Sequence, residues 1–304
     1  MRRVKLRSLA KINLDLRVLN KRADGFHELR TVFQTISLAD TIEIEYEASR
    51  RTELSIDGNV DIPNNLILRA AEAVLEAMRV RARVRFKLTK RIPMGGGLGG
   101  GSSNAAAVLL ALPLLARCKV SAEEIAAELG SDVPFFLTGG TMIGVDRGTE
   151  LYSLPDLAEE PILVVAPGVH AATGPAYAAL DRSLTFTGSS SSINSFQAYV
   201  RAIGVARRAG PASALSGNDF EAVVFRQHPK LRSILKRLSN TSGFGARMSG
   251  SGSSLFAIYG SVAERERARK VLEGDRLFRG CEMIDAKLVS RRSYRRMWQR
   301  ILPR

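Results

Sequence analysis

The sequence predicts an α+β fold, because segments with strand periodicity and segments with helix periodicity alternate along the chain. Two segments alternate apolar and polar residues, TIEIEYE at 41–47 and VRARVRFKLT at 80–89, as half-buried strands do. Between them, LILRAAEAVLEAM at 66–78 carries apolar residues at helical spacing. An apolar strand, PILVVAP, begins at residue 161. The 304 residues are enough for two domains of ordinary size.

The first predicted elements are an extended segment at 4–16, which carries the polar patch Lys11-Ile12-Asn13, and a turn at 22–25. Asn64 or Asn65 caps the helix at 66–78. The strand at 80–89 has an apolar face and a cationic face, and the cationic face consists of Arg81, Arg83, Arg85 and Lys87.

A helix is predicted over SSNAAAVLLALPLLA, 102–116. Ser121 and Glu124 form a capping-box pattern for the following helix, which Gly130 ends. The segment PFFLTGGTMIGVD, 134–146, is typical of strand and turn.

The segment from Asp156 to Pro161 is the predicted domain boundary, which gives domains 1–155 and 156–304. In the second domain, GSSSSINS at 188–195 predicts a mobile loop. The remaining patterns predict helices at 196–208, 219–227, 229–239 and 263–274, and a Gly/Ser stretch that leads into a strand over 246–260.

The net charge of +15 indicates an anionic partner, which could be nucleic acid, acidic lipid or a phosphorylated small molecule. Residues 287–304 contribute seven basic residues and no acidic ones. We interpret them as a solvated basic tail. The alternative, a nucleic-acid-binding arm, has only Tyr294 and Trp298 for base stacking.

Other classes are disfavoured by composition. No apolar run reaches the ~18 residues of a membrane span, and the start resembles no secretory signal, so we expect a cytoplasmic protein without a membrane partner. Cys118 and Cys281 are too far apart to suggest a disulfide framework. The spacing of His27, His170 and His228 does not predict a zinc site.

The stretch PMGGGLGGGSSN, residues 93–104, lies between a predicted strand and a predicted helix. The start of a helix offers unpaired N–H groups and a positive dipole end. Glycines leave those donors accessible to a phosphate, and Ser102, Ser103 and Asn104 add further donors. We interpret the stretch as a phosphate-binding cradle. A turn or hinge, the alternative, would not require Ser-Ser-Asn and an alanine-rich helix together.

Two familiar phosphate motifs do not fit this stretch. A P-loop needs a lysine after its last glycine, and none follows here. Gly95, Gly97 and Gly100 satisfy G-x-G-x-x-G, but KRIPM separates them from the strand. The acidic residues about twenty positions on, Glu123 and Glu124, begin a helix rather than end a strand.

The sequence PMGGGLGGGSSNAA resembles the P-x-x-x-G-L-G-S-S motif of the GHMP kinase superfamily. Three more segments resemble the branch of that superfamily that acts on a cytidyl diphosphate alcohol. They are AKINLDLRVLNKRADGFHEL at 10–29, LGSDVPFFLTGGT at 129–141 and RMSGSGSSLFAIY at 247–259. The resemblance covers nearly the whole chain and thins after about residue 285.

The resemblance implies a ribosomal S5-like N-terminal domain, a C-terminal antiparallel sheet backed by helices, and an active site between them. It implies ATP-dependent phosphorylation of the 2-hydroxyl of the cytidyl diphosphate substrate, on the non-mevalonate route to isoprenoid precursors. ATP and Mg²⁺ are the implied cofactors. We expect a monomer or a weak homodimer.

Asp132 is the candidate base that accepts the proton of the hydroxyl. It follows a helix end, where it could also serve only to cap a turn before Pro134, and the resemblance favours catalysis. Lys11 is its candidate partner, since a nearby ammonium keeps a carboxylate ionised and steadies transferred phosphate. Most lysines are solvated, but Lys11 lies in an apolar run where an unpaired charge is costly.

For the substrate, the resemblance implies Asn13, a stacking role for Phe26 and a base-edge hydrogen bond from His27. The family often has tyrosine at the position of Phe26. We expect a second stacking residue from the C-terminal domain, Tyr177, with Phe186 as the alternative; core packing is nearly as good an explanation of Tyr177. The implied substrate-closing motif is Ser249, Gly250 and Ser251, followed by Gly252 and Ser253, although a plain turn explains it as well.

For ATP, the resemblance implies Asn65 and Lys90 near adenine, although Asn65 could be only a helix cap. The magnesium ligands are unassigned apart from Ser103 as a guess. The remaining implied ATP-binding residues are Pro93, Met94, Gly95, Gly96, Gly97, Leu98, Gly99, Gly100, Gly101, Ser102, Ser103 and Asn104.

Two alternatives stay open. One is a GHMP kinase for homoserine, mevalonate or a sugar, against which RADGFHEL at 22–29 argues, because only a cytidyl substrate needs a base pocket. The other is a basic nucleic-acid-binding module, which predicts salt-sensitive binding and no ATP turnover.

Overall fold

The structure, a computed structural model, describes residues 1–169, 171, 173–181, 194, 196–201 and 217–301. The elements of the first half are β1 (Arg2–Lys21), β2 (His27–Ala48), β3 (Glu53–Gly58), α1 (Leu66–Ala77), β4 (Ala82–Thr89), α2 (Gly100–Ala116), α3 (Glu123–Leu129), α4 (Val133–Thr138), β5 (Thr141–Val145) and β6 (Glu150–Ser153).

The elements of the second half are β7 (Pro161–Ala166), α5 (Thr173–Asp181), α6 (Phe220–Gln227), α7 (Pro229–Ser239), β8 (Ala246–Met248), β9 (Leu255–Ile258), α8 (Val262–Glu273), a 3₁₀ turn (Arg276–Phe278), β10 (Glu282–Lys287) and α9 (Arg291–Ile301). Residues 196–201 are also helical, in agreement with the predicted helix at 196–208 as far as the structure describes it. The predicted loop at 188–195, apart from Asn194, lies outside the described residues, as do Phe186 and His170. Among the described helices, none is both long and apolar enough to cross a bilayer.

The first sheet has the strand order β3-β4-β2-β5-β6, and β1 pairs with β2. The β1–β2 pair is antiparallel over nearly the full length of both strands, with register shifts near Leu9, Asn13 and Val18. The β3–β4 pair is parallel. Helices α1 and α2 pack on this sheet around a large apolar core. The long central pair therefore carries Lys11 and Asn13 into the middle of the molecule.

The cationic face of β4 lies directly beside the acidic face of β2. Glu43, Glu45 and Glu47 are opposite Lys87, Arg85 and Arg83 in the antiparallel register. Arg83 also forms a 2.7 Å ion pair with Glu53 on β3. Such surface pairs stabilise little, but they balance the charge of this face. The face therefore offers no concentrated positive charge for a polyanion.

The second sheet has the order β10-β7-β9-β8 and is antiparallel throughout. Helices α5, α6, α7 and α8 pack on one face of this sheet and form an apolar cluster with it. Its other face packs on the first sheet, where Ile12, Leu14 and Val32 meet Val164 and Phe256. This arrangement confirms the predicted antiparallel sheet backed by helices. The boundary between residues 155 and 156 stays a prediction.

Two local predictions are wrong. The segment predicted as strand and turn at 134–146 begins with helix α4, because Pro134 fits the first turn of a helix and Phe135 and Phe136 are fully buried there. The capping box is absent as well: α3 begins at Glu123 with Ala122 as its N-cap. The Ser121 hydroxyl instead donates to the Glu123 carboxylate at 2.9 Å. Gly130 ends α3 as predicted.

The interpretation of the basic end as a solvated tail is also wrong for residues 287–301, because α9 packs on the N-terminal core. Tyr294 and Trp298 are buried in that core, so they are not available for base stacking. The Tyr294 hydroxyl donates to the Phe136 carbonyl in α4 at 2.5 Å. A Cβ at Gly139 would lie 2.6 Å from the Tyr294 ring, so only glycine allows this contact.

Candidate active site

A cavity of about 370 Å³, called here the central cleft, lies where the two halves meet. Strand β1 contributes Lys11 and Asn13, and the connection from α3 to α4 contributes Asp132. The glycine loop (residues 95–101) and the late Gly/Ser segment (residues 249–253) form another part of the wall. Segments far apart in sequence therefore meet around one space.

Lys11 and Asp132 face each other in this cleft. The Lys11 ammonium lies 3.3 Å from Asp132 Oδ2, and the side chain of Lys11 is only 4% exposed. Lys11 also donates to Asn13 Oδ1 at 2.7 Å. The Asn13 amide in turn donates to the Thr31 hydroxyl at 2.7 Å. A buried ammonium is thus paired and oriented, as a charge in an apolar environment requires.

Asp132 precedes the first residue of α4, yet its side chain makes no capping hydrogen bond within the described structure. The alternative that Asp132 serves only as a cap therefore loses its support. The Asp132 carboxylate is 30% exposed, so it is accessible from the cleft. Burial, together with the negative charge of Asp132, raises the pKa of the Tyr177 hydroxyl to about 12. Tyr177 therefore stays protonated beside this carboxylate at physiological pH.

The glycine loop adopts backbone conformations that favour glycine. Gly95, Gly97 and Gly99 have φ angles of 65°, 73° and 69°. A Cβ on Gly97 would lie 2.1 Å from the Ser249 carbonyl oxygen. One on Gly99 would lie 2.8 Å from the Phe136 ring. Close neighbours within the protein thus account for part of the glycine content, and α2 begins directly after Gly99, earlier than the sequence predicts.

The glycine loop is held from both sides. The Lys11 amide donates to the Leu98 carbonyl at 3.0 Å. On the other side, the Ser249 hydroxyl donates to the Gly97 carbonyl at 2.9 Å. The side chain of Ser249 therefore binds the glycine loop, whereas Gly250 and Ser251 line the central cleft. These two hydrogen bonds hold the loop between β1 and the late Gly/Ser segment.

The start of α2 contains a buried hydroxyl. Ser103 is 2% exposed, and its Oγ finds no hydrogen-bond partner in the described part of the chain. Buried polar atoms without a partner are rare in native proteins. Ser103 does not line the central cleft, whereas Ser102 does, so the guess of Ser103 as a magnesium ligand stays a prediction.

A second cavity of about 640 Å³ contains the predicted aromatic residues Phe26, His27 and Tyr177, called here the aromatic pocket. The rings of His27 and Tyr177 stack with their centroids 4.7 Å apart. Phe26 is exposed, and the guanidinium carbon of Arg147 lies 4.8 Å from its ring centroid. The structure brings together aromatic residues from both halves, as the sequence predicts for a base pocket.

Asn65 and Lys90 are placed differently from the other candidates. Asn65 Oδ1 accepts from the Ile67 amide at 3.0 Å and caps α1. Lys90 Nζ donates to Asp40 Oδ2 and to the Ile92 carbonyl, both at 2.7 Å. Burial lowers the pKa of Lys90, against the raising effect of Asp40. Lys90 lines a separate cavity with Pro93 and Met94, so its part in ATP binding stays a prediction.

Asn218 supports the site but gave no functional signal in the sequence, where it precedes a predicted helix. Its amide donates to the carbonyls of Met248 and Gly250, each at 2.8 Å. Its neighbour Asp219 accepts from the Val18 amide of β1 at 2.9 Å. The Asn-Asp pair thus connects β1 to the late Gly/Ser segment. A hydrogen-bonding network of this kind is visible only once the fold is known.

Comparison with known proteins places this geometry in one family. The family models "GHMP kinases N terminal domain" and "GHMP kinases C terminal" match residues 65–140 and 199–274. A crystal structure of 4-(cytidine 5'-diphospho)-2C-methyl-D-erythritol kinase superposes with a TM-score of 0.75 at 34% identity, covering 93% of this chain and 98% of the other. A homoserine kinase from Cytophaga hutchinsonii shares the fold with a TM-score of 0.68 at 17% identity, over 94% and 97% of the two chains.

The chain therefore belongs to the GHMP kinases, and the fold predicted from the sequence is confirmed. The 4-diphosphocytidyl-2-C-methyl-D-erythritol kinase of Solibacter usitatus (strain Ellin6076) is 49% identical over 99% of this chain and 93% of its own. The enzyme of that name from Pelotomaculum thermopropionicum is 39% identical over 86% and 90% of the two chains. Within the GHMP kinases, the chain belongs to the family of the 4-diphosphocytidyl-2-C-methyl-D-erythritol kinases. It is an ATP-dependent small-molecule kinase of isoprenoid precursor synthesis.

Proposed function

We propose that this kinase transfers the γ-phosphoryl group of ATP to the 2-hydroxyl of 4-diphosphocytidyl-2-C-methyl-D-erythritol. The observation that carries the proposal is the 3.3 Å pair of Lys11 and Asp132 at the central cleft. The cleft has the glycine loop on one side and borders the aromatic pocket on the other. One end suits a triphosphate and the other suits a nucleobase. The names of the relatives supply the substrate.

The proposed reaction assigns one task to each group. Asp132 accepts the proton of the 2-hydroxyl as its oxygen forms a bond to the γ-phosphorus. The bond from the γ-phosphorus to the bridging oxygen breaks, and ADP leaves with the electron pair. Lys11 pairs with the Asp132 carboxylate, which it orients, and stabilises negative charge on the transferred group. The amides between Gly95 and Ser103 hold the phosphates of ATP.

Magnesium fits this site as a companion of the nucleotide. The described residues contain no group of three or more His, Cys, Asp or Glu side chains that could hold a metal ion. Ser103, buried and without a described partner, is not among the residues that line the central cleft, whereas Ser102 lines it. The phosphate oxygens of ATP are the ligands that a bound Mg²⁺ would have here. When bound, Mg²⁺ neutralises charge on the phosphates.

The aromatic pocket favours a cytidyl substrate over the small alcohols of other GHMP kinases. His27 is 8% exposed and stacks on Tyr177, so it lies in the wall of the pocket that would hold a base. Phe26 is 55% exposed and offers a face for stacking. Homoserine and mevalonate carry no ring that would occupy this space.

ADP release tests the proposal. The purified protein is incubated with ATP, Mg²⁺ and the cytidyl substrate, and in parallel with homoserine or mevalonate. We expect release with the cytidyl compound alone; equal release with homoserine or mevalonate contradicts the substrate assignment. Asp132→Asn should lower kcat by about 10²–10⁴ with ATP binding retained. Asp61→Asn, at an exposed aspartate outside the cleft, is the matched control. Near-normal turnover in Asp132→Asn would remove Asp132 from the role of base.

A further inference from the structure

Arg147, in the turn between β5 and β6, borders both the central cleft and the cavity of the aromatic pocket. The residues that line both cavities are Leu29, Gly130, Ser131, Arg147 and Tyr177. The two cavities are therefore adjacent, and these shared residues form the boundary between them, called here the neck. Among the described residues that line the two cavities, the other basic ones, Lys11 and Lys21, each border a single cavity. A positive charge at the neck thus comes from Arg147.

The described ion pair of Arg147 is long, and the carboxylate that makes it is shared. Its Nε has no hydrogen-bond partner within the described ranges and lies 3.7 Å from Asp146 Oδ2, beyond hydrogen-bond length. The Asp146 carboxylate is also paired with Arg22 and accepts from the Thr149 hydroxyl at 3.1 Å. The Asp146 carboxylate is therefore shared among several partners, and Arg147 is only one of them.

The position of the guanidinium is nevertheless fixed. Its carbon lies 4.8 Å from the centroid of the Phe26 ring, a distance typical of a cation–π contact. The side chain is 39% exposed, so it is accessible from the cavity. A planar guanidinium held against an aromatic face can offer two parallel N–H donors to a phosphate.

We propose that Arg147 binds the diphosphate group of the cytidyl substrate and so contributes to its selection. The inference rests on the proposed function, in which the base enters the aromatic pocket and the hydroxyl reaches Asp132. In such a substrate the diphosphate connects these two ends, so it passes the neck that Arg147 borders. Arg147 recognises charge at this point, whereas the aromatic residues recognise the base.

Binding of CDP and of cytidine tests this assignment, because the two probes share the base and differ in the diphosphate. Their Kd values are measured by calorimetry for the wild type, Arg147→Gln and Arg147→Lys. We expect Arg147→Gln to weaken CDP binding about 10- to 100-fold and to change cytidine binding less than about 2-fold. Arg147→Lys should recover part of the loss. Arg292→Gln, at an exposed arginine of α9, is the matched control.

Unchanged CDP affinity in Arg147→Gln overturns the proposal, and so does an equal loss for cytidine, which would mean that the aromatic pocket had collapsed. A rise in the KM for ATP with unchanged CDP binding would assign Arg147 to the nucleotide instead. Turnover of the cytidyl substrate by the wild type is measured separately. If the wild type turns it over and the variant still binds CDP normally, this inference alone fails. If the wild type binds neither probe and turns over no cytidyl substrate, the proposed function fails as well.

Discussion

Replacing Gly97 with alanine should separate the two glycine-rich segments of the central cleft. The added Cβ would lie 2.1 Å from the Ser249 carbonyl oxygen, so one backbone must move by more than 1 Å to reach ordinary contact at about 3.4 Å. Alanine at the observed φ of 73° costs about 1–2 kcal/mol. Overpacking adds about 1–3 kcal/mol. We therefore expect a loss of about 2–5 kcal/mol in the free energy of unfolding.

Thermal unfolding and ADP release measure the two consequences. For 304 residues, a loss of this size lowers Tm by about 3–8 °C. A displacement of about 1 Å in the loop should lower kcat/KM about 100-fold or more. Gly101→Ala is the control for stability, because its Cβ would meet only Leu66 Cδ1 at 3.5 Å. It should keep or raise Tm, since alanine favours helices by about 1 kcal/mol over glycine. Equal stability and activity in Gly97→Ala and the wild type would refute the packing argument.

Three further predictions concern residues outside the catalytic pair. Asn218→Ala should lose about 1–3 kcal/mol in urea denaturation, because two buried carbonyls lose their donor; Asn218→Asp should be worse, and wild-type stability in either variant would contradict this. Burial raises the pKa of Glu160 from 4.5 to about 7, so the folded state binds this proton more tightly and stability falls as pH rises across that window. Glu160→Gln should therefore stabilise by about 1 kcal/mol at pH 8, after discounting for partial exposure, and have little effect at pH 4; the opposite pH dependence would exclude Glu160 as the cause. Tyr294→Phe removes the donor to Phe136 and should lower stability by about 1–2 kcal/mol, with reduced kcat because α4 loses its support; an unchanged Tm would contradict it.

The features that the sequence predicted best are those that depend on local chemistry. Two such features are the glycine loop, where glycine permits unusual backbone angles, and the ion pair of Lys11 with Asp132, where opposite charges attract. Gly95, Gly97 and Gly99 have positive φ angles, and Lys11 is buried and paired. The alternation of apolar and basic residues also predicted correctly which side chains of β4 are buried.

The features that the sequence did not predict depend on which segments pack together. The run from Val133 to Thr138 contains the β-favouring residues Phe135 and Phe136, but their burial in the N-terminal core and Pro134 in the first turn together favour a helix. The end of the chain was predicted to be a solvated tail because basic residues dominate positions 287–304. Tyr294 and Trp298, about one helical turn apart, are nevertheless buried when α9 packs on the core. The role of Asn218 depends on two carbonyls that lie about thirty residues further along the chain.

The packing of α9 on the N-terminal core ties the loop that carries Asp132 to a distant part of the chain. The Tyr294 hydroxyl of α9 donates to the carbonyl of Phe136, and α4 begins directly after Asp132. The position of Asp132 is therefore sensitive to substitutions in α9, although the residues that line the central cleft come from other elements.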